Sequence, residues 1–591
     1  MVLLLVLASP PVGADDAAQP HELKPDLVIT PGRAEQSIHR IVDAVSVITR
    51  ADIERSAAED LPDLLRLLPG VDVVRTGPAG AQTSVFLRGT NSNHVLVLVD
   101  GIRVSSTNTG AYAWELLPLD QIERIEVVRG PKASVWGSDA IGGVIQVFTR
   151  SRPQPYARLT VGSWDSTEFA GGWGASSERG RFNLSAGYRD SGGFSAQNPD
   201  GFGFDPDDDG LTAVNFGLNA AHDLGGGQLR LSVLASDTET DFDQGRSDAE
   251  QLLASLSYEG AFSPSWTHHL VAGYAGDRLE SDFGFFTTGF RSERSEFAWQ
   301  HAADLGAAGA LRFGVDYTHE VGRDGVAFDE RRSNTGVYAG FDRPVGRWLL
   351  QATARVDDNS EFGTEVTGQL GVGYDLTDSW QLAASWGSGF RGPNLNEQFS
   401  PGFGGLFAGN PELEPESSRS AEARLRWVND ASAFEVSVYR TRVDDLVAFE
   451  GEAFQAVNIA RVDIKGVEAE YRYDAGPWRL RANATLQQAE NRDSGADLLR
   501  RPDRKGSLTL DRRLGRHSWL GVEWFVSGKR QDVGSVTLPS YTLLNLRAGW
   551  QFLPQWRAEL RADNLLDDDY EPAFGFNGAS RSVFVSLAWI P

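Results

Sequence analysis

The sequence predicts an all-β membrane protein: an antiparallel transmembrane β-barrel of about 22 strands, with a mixed α/β plug domain in its lumen. Three observations support this fold class. Residues 151–591 alternate between apolar and polar side chains in many short segments. No run of apolar residues reaches the roughly 18 that a membrane-spanning helix needs. A closed barrel is the other structure that can cross a bilayer. A compact, glycine-punctuated region, residues 45–150, precedes the alternating part.

The alternation is clearest near the end of the chain. In residues 544–552 the even positions are apolar and the odd positions are polar or glycine, and residues 556–563 follow the same period of two. In a membrane barrel the apolar face contacts lipid and the polar face lines the lumen. At roughly 20 residues per strand and connection, residues 151–591 hold about 22 strands, the size of plugged transporters. An array of soluble β domains is the alternative, but no linkers separate such domains. Long polar stretches, residues 191–210 and 277–295, predict external loops of the barrel.

The composition excludes several classes of function. The chain has 591 residues, 64 glycines, 16 tryptophans and no cysteine, so thiolate metal sites, thiol nucleophiles and disulfides are absent. The formal net charge of −26 argues against a nucleic-acid partner, whose phosphates require a basic surface. No nucleophile lies in a pattern with His39 or His94, and Gly142–Gly143 lacks the lysine of a phosphate loop. We therefore expect no enzyme and no catalytic cofactor.

The N-terminal region reads as three parts. Residues 1–14 contain an apolar run and a small-residue site, which is typical of a signal peptide cleaved after Ala14. Residues 15–44 form a polar segment, and within it residues 25–31 place a short β-prone run between two prolines. Proline cannot donate to a β-ladder, so this strand is confined at both ends and can pair with the sheet edge of a partner. An ordinary short edge strand is the alternative.

Residues 45–150 predict a small globular domain. Val45–Ile48 reads as a strand, and Thr49 with Asp52 predicts a capping box that opens a helix. Leucines at positions 61, 64, 65 and 68 follow the spacing of an amphipathic helix that ends at Pro69–Gly70. Residues 95–99, 125–128 and 144–148 predict buried strands. We expect charged groups of this domain to form ion pairs with the barrel wall: Arg88, Glu123, Glu126, Arg129 and Lys132.

Several motifs are similar to those of one family. Residues 65–72 (LRLLPGVD), 86–91 (FLRGTN), 94–103 (HVLVLVDGIR) and 129–143 resemble the plug motifs of TonB-dependent outer-membrane receptors. Residues 392–395, 409–416, 464–468 and 564–570 resemble their barrel motifs. The likeness covers nearly the whole chain and is strongest to the members that take up cobalamin.

The resemblance implies a function and its partners. Residues Leu27, Val28, Ile29 and Thr30 correspond to the TonB box, which pairs with TonB and is pulled by means of the proton-motive force. The implied role is active uptake of cobalamin or a related corrinoid across the bacterial outer membrane. A siderophore receptor on the same scaffold, or a passive porin or adhesin barrel, are the alternatives. We further expect a monomer that contacts outer-membrane lipid and is recognised by the barrel-assembly machinery through Trp589.

Two groups of site residues follow. Asp205 to Gly210 places carboxylates at alternate positions, as a hard cation requires; by the resemblance, the ligands of a structural Ca²⁺ would be Asp207, Asp209, Asp243 and Asp248. Ser195 and Phe242 replace two other ligands, and a solvated acidic loop is the alternative. The resemblance places the corrinoid contacts on plug loops and one barrel loop, where Ser84, Asn91 and Arg500 match family contacts. Gln82 stands where the family has an apolar residue, and the turn with Thr109 and Gly110 replaces another contact. Plain solvation of the plug or the lumen is the alternative for each polar residue.

Overall fold

The N-terminal part of the chain forms a small domain that a barrel encloses. The structure is a computed structural model that describes residues 28–29, 32–33, 36–37, 41–325, 327–402, 407–450 and 454–591. The predicted signal peptide, residues 1–14, lies outside the described residues, as do Leu27 and Thr30 of the predicted TonB box. Among the described residues, no α-helix has the length and apolarity that a membrane span needs.

The plug, as we call the domain built from β3 to β9, contains a five-stranded sheet in the order β3-β8-β9-β6-β7 and a separate β4–β5 hairpin. A two-stranded ribbon, β1–β2, precedes it. The elements are β1 (Val28–Ile29), β2 (Gln36–Ser37), β3 (Val45–Thr49), α1 (Arg50–Ser56), α2 (Leu61–Leu65), β4 (Val71–Arg75), β5 (Thr83–Leu87), β6 (Val95–Val99), β7 (Ile102–Arg103), β8 (Ile122–Arg129), α3 (Ala133–Trp136) and β9 (Gly143–Thr149).

Local sequence signals account for these elements. The capping box is confirmed: the Thr49 side chain accepts from the Asp52 amide and the Asp52 carboxylate accepts from the Thr49 amide. The predicted leucine-rich helix is confirmed as α2, whose Asp60 cap precedes buried Leu61, Leu64 and Leu65. Strands β6 and β9 are buried on both faces, which explains their nearly continuous apolar sequences.

The barrel is closed and antiparallel with 22 strands, which confirms the predicted fold class. Its first and last strands pair from Ala157 opposite Trp589 to Gly162 opposite Phe584. The barrel strands are β10 (Tyr156–Gly162), β11 (Ser166–Ser176), β12 (Gly180–Phe194), β13 (Asp209–Leu224), β14 (Gly227–Phe242), β15 (Gly245–Ser263), β16 (Trp266–Asp282), β17 (Thr287–Asp304), β18 (Ala310–Asp324), β19 (Phe328–Val345), β20 (Trp348–Asn359), β21 (Gly363–Asp375), β22 (Trp380–Arg391), β23 (Glu416–Val428), β24 (Ser432–Glu450), β25 (Gln455–Ala475), β26 (Trp478–Asn491), β27 (Arg504–Arg513), β28 (Ser518–Ser527), β31 (Tyr541–Leu553), β32 (Trp556–Asp563) and β33 (Ser582–Trp589), and between them lie α4 (Leu395–Phe399) and the hairpin β29 (Arg530–Asp532) with β30 (Val536–Leu538).

The predicted alternation sets the two faces of the wall. In β31 the odd positions point inward, where Arg547 binds the carbonyl oxygen of Arg55 in the plug at 2.8 Å, and Leu546 and Trp550 lie on the outer surface. In β33, Val583, Val585 and Leu587 form the outer face. A period of two therefore gives one face to lipid and one to the plug-filled lumen.

The two ends of the barrel differ in their connections. At one end the strands are joined by short turns such as 225–226, 346–347 and 554–555, and at the other end by long loops such as 195–208, 392–415 and 564–581. Short turns face the periplasm and long loops face the outside in outer-membrane barrels. The prediction of a long loop over residues 277–295 is wrong, because β16 and β17 continue outward and leave only 283–286 as the connection.

Ion pairs hold the plug to the wall, as two of the predicted residues show. Arg88 binds Glu422 and Glu468, and Arg129 lies 3.3 Å from Glu468. The prediction is wrong for Lys132 and Glu123. Lys132 pairs with Asp43 of the preceding segment and donates to the barrel side chain Gln369, while Glu123 pairs with Arg152 in the connection to the barrel. Glu126 pairs with Arg124 on the same plug strand.

Candidate functional site

Three plug loops face the end of the barrel that carries the long loops. The first joins β4 to β5, the second follows β5 and the third follows β7. Their surroundings are the outer ends of barrel strands. A Cβ on Gly80 would lie 2.8 Å from Leu211, and the Asn108 amide donates to the carbonyl oxygen of Arg323 at 3.0 Å. These loops form the floor of an external vestibule.

The β4–β5 hairpin places two of the predicted contacts. Gln82 is exposed at the hairpin end, where its carbonyl oxygen accepts from the Thr76 amide at 3.1 Å. Ser84 is half-buried and stands opposite Val74 in the hairpin register. Both residues belong to the plug floor, and the Gln82 side chain is accessible for hydrogen bonding with a ligand.

Asn91 is fixed by an arginine that sequence analysis missed. Arg501 Nη2 donates to Asn91 Oδ1 at 2.7 Å and to the Thr90 carbonyl oxygen at 3.0 Å, and its guanidinium lies 4.0 Å from the centre of the Phe86 ring. Burial lowers the pKa of Arg501 to about 10, so the group stays charged at neutral pH. The signal in the sequence was the Arg500–Arg501 pair, of which only the first member was selected.

Arg500 itself is bound to the barrel rather than to the plug. Its Nε donates to Asp532 Oδ1 at 3.0 Å, and its backbone has a positive φ of 67°. Asp532 is completely buried, whereas the Arg500 side chain keeps 28% of its surface exposed. The two neighbouring arginines thus divide their roles: Arg501 holds the plug loop, and Arg500 presents a partly exposed guanidinium beside a fixed carboxylate.

The turn at Thr109 and Gly110 rests on an external loop of the barrel. The Asn394 amide donates to the Thr109 carbonyl oxygen at 3.0 Å, and the Asn394 side chain also caps α4. Gly110 has a φ of 72°, and a Cβ there would lie 3.2 Å from Asn93 Cβ. The Asn91–Asn93 loop and the Thr109–Gly110 turn are therefore in contact, and a side chain larger than glycine would disturb both.

A buried network connects the Asn91 loop to the same external loop. His94 Nδ1 accepts from the Asn91 amide at 3.3 Å, so Nε2 carries the proton that is donated to Glu416. Glu416 also accepts from Arg391 at 2.6 Å, and Arg391 binds Glu397 of α4 at 2.8 Å. The network joins the plug floor to α4 through buried polar side chains.

The predicted calcium ligands fall in different surroundings. Asp209 and Asp243 are buried, and they accept from the backbone amides of Ala196 at 2.6 Å and Asp205 at 2.9 Å. Asp207 and Asp248 are exposed. Within the ranges that the structure describes, no group of three or more acidic or histidine side chains is arranged to hold a metal ion. The two buried carboxylates order the loop 195–208 against the β14–β15 connection.

The described part of the predicted TonB box lies in a short ribbon. Val28 pairs with Ser37 and Ile29 with Gln36. Just beyond the box, Arg33 binds Asp316 of β18 at 2.8 Å, and its guanidinium lies 4.5 Å from the Trp136 ring and 5.0 Å from the Tyr338 ring. The segment that follows the box is thus anchored to the wall and to the plug at once.

A 22-stranded barrel with an internal plug, anchored at its N-terminal segment, defines an outer-membrane protein whose lumen is filled rather than an open pore. Family comparisons agree. The model of the TonB dependent receptor-like β-barrel matches residues 156–565, and that of the TonB-dependent receptor plug domain matches residues 37–144. The chain belongs to the TonB-dependent receptor family, whose members are transporters and receptors rather than enzymes, and it is a multi-pass β-barrel of the outer membrane.

Relatives with assigned roles match along the whole chain. The vitamin B12 transporter BtuB of Vibrio cholerae is 29% identical over 600 residues, which covers 97% of this chain and 96% of the relative. Among solved structures, the siderophore receptor PirA from Acinetobacter baumannii has a TM-score of 0.81 at 17% identity and covers 93% of this chain and 98% of its own. The FrpB iron transporter of Neisseria meningitidis has a TM-score of 0.81 at 14% identity, with coverage of 93% and 100%. Likeness at such identity shows the fold alone.

Proposed function

We propose that this receptor takes up cobalamin or a related corrinoid across the outer membrane, with energy from the inner-membrane proton-motive force delivered through TonB. The observation that carries the proposal is the match over 97% of the chain to a vitamin B12 transporter. Siderophore receptors and an iron transporter resemble the chain in fold at 14–18% identity. Sequence likeness therefore favours the corrinoid.

The chemistry of the vestibule supports a neutral, amide-rich ligand. The proposed contacts are Gln82, Ser84, Asn91, Thr109, Gly110 and Arg500, which offer amide, hydroxyl and backbone groups and one cation. That cation is paired with Asp532, and neighbouring Arg501 is occupied by plug carbonyl groups. The amide groups at the rim of a corrinoid match these hydrogen-bond donors and acceptors. A multiply charged ferric complex would instead bind best at a site with several unpaired cationic side chains.

The second candidate is a siderophore receptor on the same scaffold. The fold-level likeness to PirA and to the ferric enterobactin receptor PfeA of Pseudomonas aeruginosa favours it. A passive porin is disfavoured, because the plug fills the lumen and is held by buried ion pairs such as Arg88 with Glu468.

Three partner proposals accompany the transport role. Trp589 ends the last strand opposite Ala157 and Trp556, and we propose that it serves the barrel-assembly machinery in recognition. We propose a monomer, because the closed sheet leaves no edge strand for a second copy. The exposed apolar outer face, including Trp524 and Leu560, would contact membrane lipid.

Uptake in cells tests the ligand. A strain that lacks its own corrinoid transporter, and expresses this chain, is expected to accumulate labelled cobalamin and to lose that uptake when the proton-motive force is dissipated. The same cells receive labelled ferric enterobactin in parallel. Accumulation of the ferric complex without cobalamin would overturn the proposal in favour of the second candidate.

Binding to de-energised cells tests the site. Gln82→Ala is expected to weaken cobalamin binding by about fivefold, which corresponds to one lost hydrogen bond of about 1 kcal/mol. The matched control is Gln555→Ala, at an exposed periplasmic turn. Equal affinity of Gln82→Ala and the unaltered protein would remove Gln82 from the proposed contacts.

A further inference from the structure

A large cavity lies on the periplasmic side of the plug, away from the vestibule. It has a volume of about 780 Å³ and is bounded by the lower edge of the plug sheet and by the turn-bearing ends of strands β12 to β19. The plug contributes Thr49, Glu123, Arg124 and Thr149 among others. Gly32 and Arg33, which follow the proposed TonB box, form part of its boundary.

The charge of this lining is unusual for so acidic a protein. Seven arginines and three carboxylates line the cavity, in a chain with a net charge of −26. The carboxylates that pair with Arg33, Arg124 and Arg312 are Asp316, Glu126 and Asp342, and they lie behind the lining. On the surface that faces the cavity, guanidinium groups therefore outnumber carboxylates.

One of these arginines has no partner among the described residues. Arg181 is the second residue of β12, and within the described ranges it makes no ion pair or side-chain hydrogen bond. Arg230, also on the lining, is 3.5 Å from Glu259, and both side chains keep half of their surface exposed. Guanidinium groups in this arrangement present forked donors that match phosphate oxygens.

The position of the cavity relates it to transport. Arg33 closes it on one side and lies three residues beyond the end of the TonB box, so a pull on the box draws that wall away first. The opposite wall is the barrel, which stays in place. A cargo that passes between plug and barrel on this side would cross the cavity before it reaches the periplasm.

We propose that this cavity is the periplasmic outlet of the transport path and that Arg181 and Arg230 form an anion-binding station for a phosphate-class group of the cargo. The assignment of the cargo rests on the proposed corrinoid function, since cobalamin carries a phosphodiester. The cationic character of the cavity does not depend on it.

The absence of cysteine allows a direct test of the charge. Ser257 lines the cavity directly opposite Arg230 in the register, and Ser257→Cys supplies the sole thiol of the chain. In purified protein, we compare the reaction rate of an anionic thiosulfonate with that of a cationic one. This rate ratio is expected to be about fivefold higher at Ser257→Cys than at Ser177→Cys, which lies on an exposed turn. Equal ratios at the two sites would overturn the proposal.

A neighbouring arginine gives the matched control. In the Ser257→Cys background, Arg181→Gln is expected to lower the reagent preference of the introduced thiol. Arg179→Gln, two residues away in an exposed turn, is expected to leave that preference unchanged. Normal cobalamin binding at the outer vestibule would show that both variants are folded. An unchanged preference in Arg181→Gln would remove Arg181 from the station.

Transport of two corrinoids tests the role in the cargo path. Arg181→Gln is expected to slow uptake of cobalamin by about threefold and to leave that of cobinamide, which lacks the phosphodiester, unchanged. Equal slowing of both would overturn the phosphate station. Cells with the unaltered chain could accumulate neither corrinoid while the introduced thiol still prefers the anionic reagent. That result would reject the proposed corrinoid function and retain the proposal of a cationic cavity.

Discussion

Arg88 of the plug donates through Nε to Glu468 of the barrel at 3.0 Å and through Nη1 to Glu422 at 3.0 Å, and all three side chains are almost completely buried. The Arg88 guanidinium also lies 4.4 Å from the Tyr439 ring. A residue of the FLRGTN motif thus connects the plug to three strands of the wall. Removal of Arg88 leaves the buried carboxylates of Glu422 and Glu468 with fewer cationic partners to offset the cost of burying their charge.

The first prediction concerns this contact. Arg88→Met is expected to lower the free energy of plug unfolding by about 3–5 kcal/mol, the usual cost of breaking a buried ion pair from one side. Denaturant unfolding of the purified protein, followed by fluorescence, measures the change. The matched control, Arg152→Met, removes a largely exposed partner of Glu123 and should shift stability by less than about 1 kcal/mol. Similar losses in both variants would contradict the prediction.

The second prediction concerns coupling to TonB. Val28→Pro is expected to abolish energised uptake and to leave ligand binding to de-energised cells unchanged, because proline removes a backbone donor from the strand that pairs with the partner. Val28→Ile keeps that donor and serves as the control. Uptake that persists in Val28→Pro would reject the strand-pairing role.

The third prediction concerns the anchor beyond the box. Arg33→Ala removes the bond to Asp316, while Asp316 keeps Arg355 as a partner at 2.7 Å. We expect a thiol introduced at Gly32 to be labelled about tenfold faster, which corresponds to the loss of a charged hydrogen bond worth about 1.5 kcal/mol. Arg347→Ala, in a periplasmic turn, is the control. Unchanged labelling would show that Arg33 does not restrain the segment.

The fourth prediction concerns calcium at the outer loops. The described side chains form no ready-made site of three or more acidic or histidine ligands, so Ca²⁺ would have to draw further oxygen ligands together. Purified protein is expected to bind Ca²⁺ with Asp209 and Asp243 among the ligands, because their carboxylates are buried and one Asp243 oxygen has no hydrogen-bond partner. Calorimetric titration measures the heat, and Asp243→Asn should remove it. Asp200→Asn, exposed in the same loop, should not. If titration of the unaltered protein with Ca²⁺ releases no heat, the calcium prediction is wrong and the acidic loop is only solvated.

The fifth prediction concerns pH and the plug. Burial raises the pKa of Glu115 to about 7, and its Oε2 has no hydrogen-bond partner. The folded plug therefore favours the protonated acid, so its stability is fully present below the ordinary pKa and falls as pH rises towards 7. We expect a loss of about 1–3 kcal/mol between pH 5 and pH 8 in denaturant unfolding. Glu115→Gln should reduce the pH dependence of the free energy of unfolding. If that dependence is unchanged in the variant, it arises from other groups than Glu115.

Sequence patterns predicted the local structure well where the signal lies within a few residues. The Thr49–Asp52 capping box, helix α2 and the period of two in β31 need only neighbours in the chain. The loop prediction over 277–295 was wrong because polar residues also occupy strands that extend beyond the membrane. Polarity alone does not separate a loop from such an extension.

The site depends on contacts between distant positions. Asn91 and Arg501 are 410 residues apart in the chain, and His94 and Glu416 are 322 apart. The resemblance to the receptor family selected Arg500, whereas the closed barrel brings its neighbour Arg501 against the plug loop.

By itself the sequence determined the class of protein, because side-chain period, turn chemistry and short motifs are properties of contiguous residues. The tertiary structure alone decided which charges meet: the register of 22 strands brings Arg88 to Glu468 and Arg33 to Asp316, and it leaves Arg181 facing a cavity. The physical reason is that an ion pair depends on distance in space. Barrel closure sets that distance between residues that lie hundreds of positions apart in the chain.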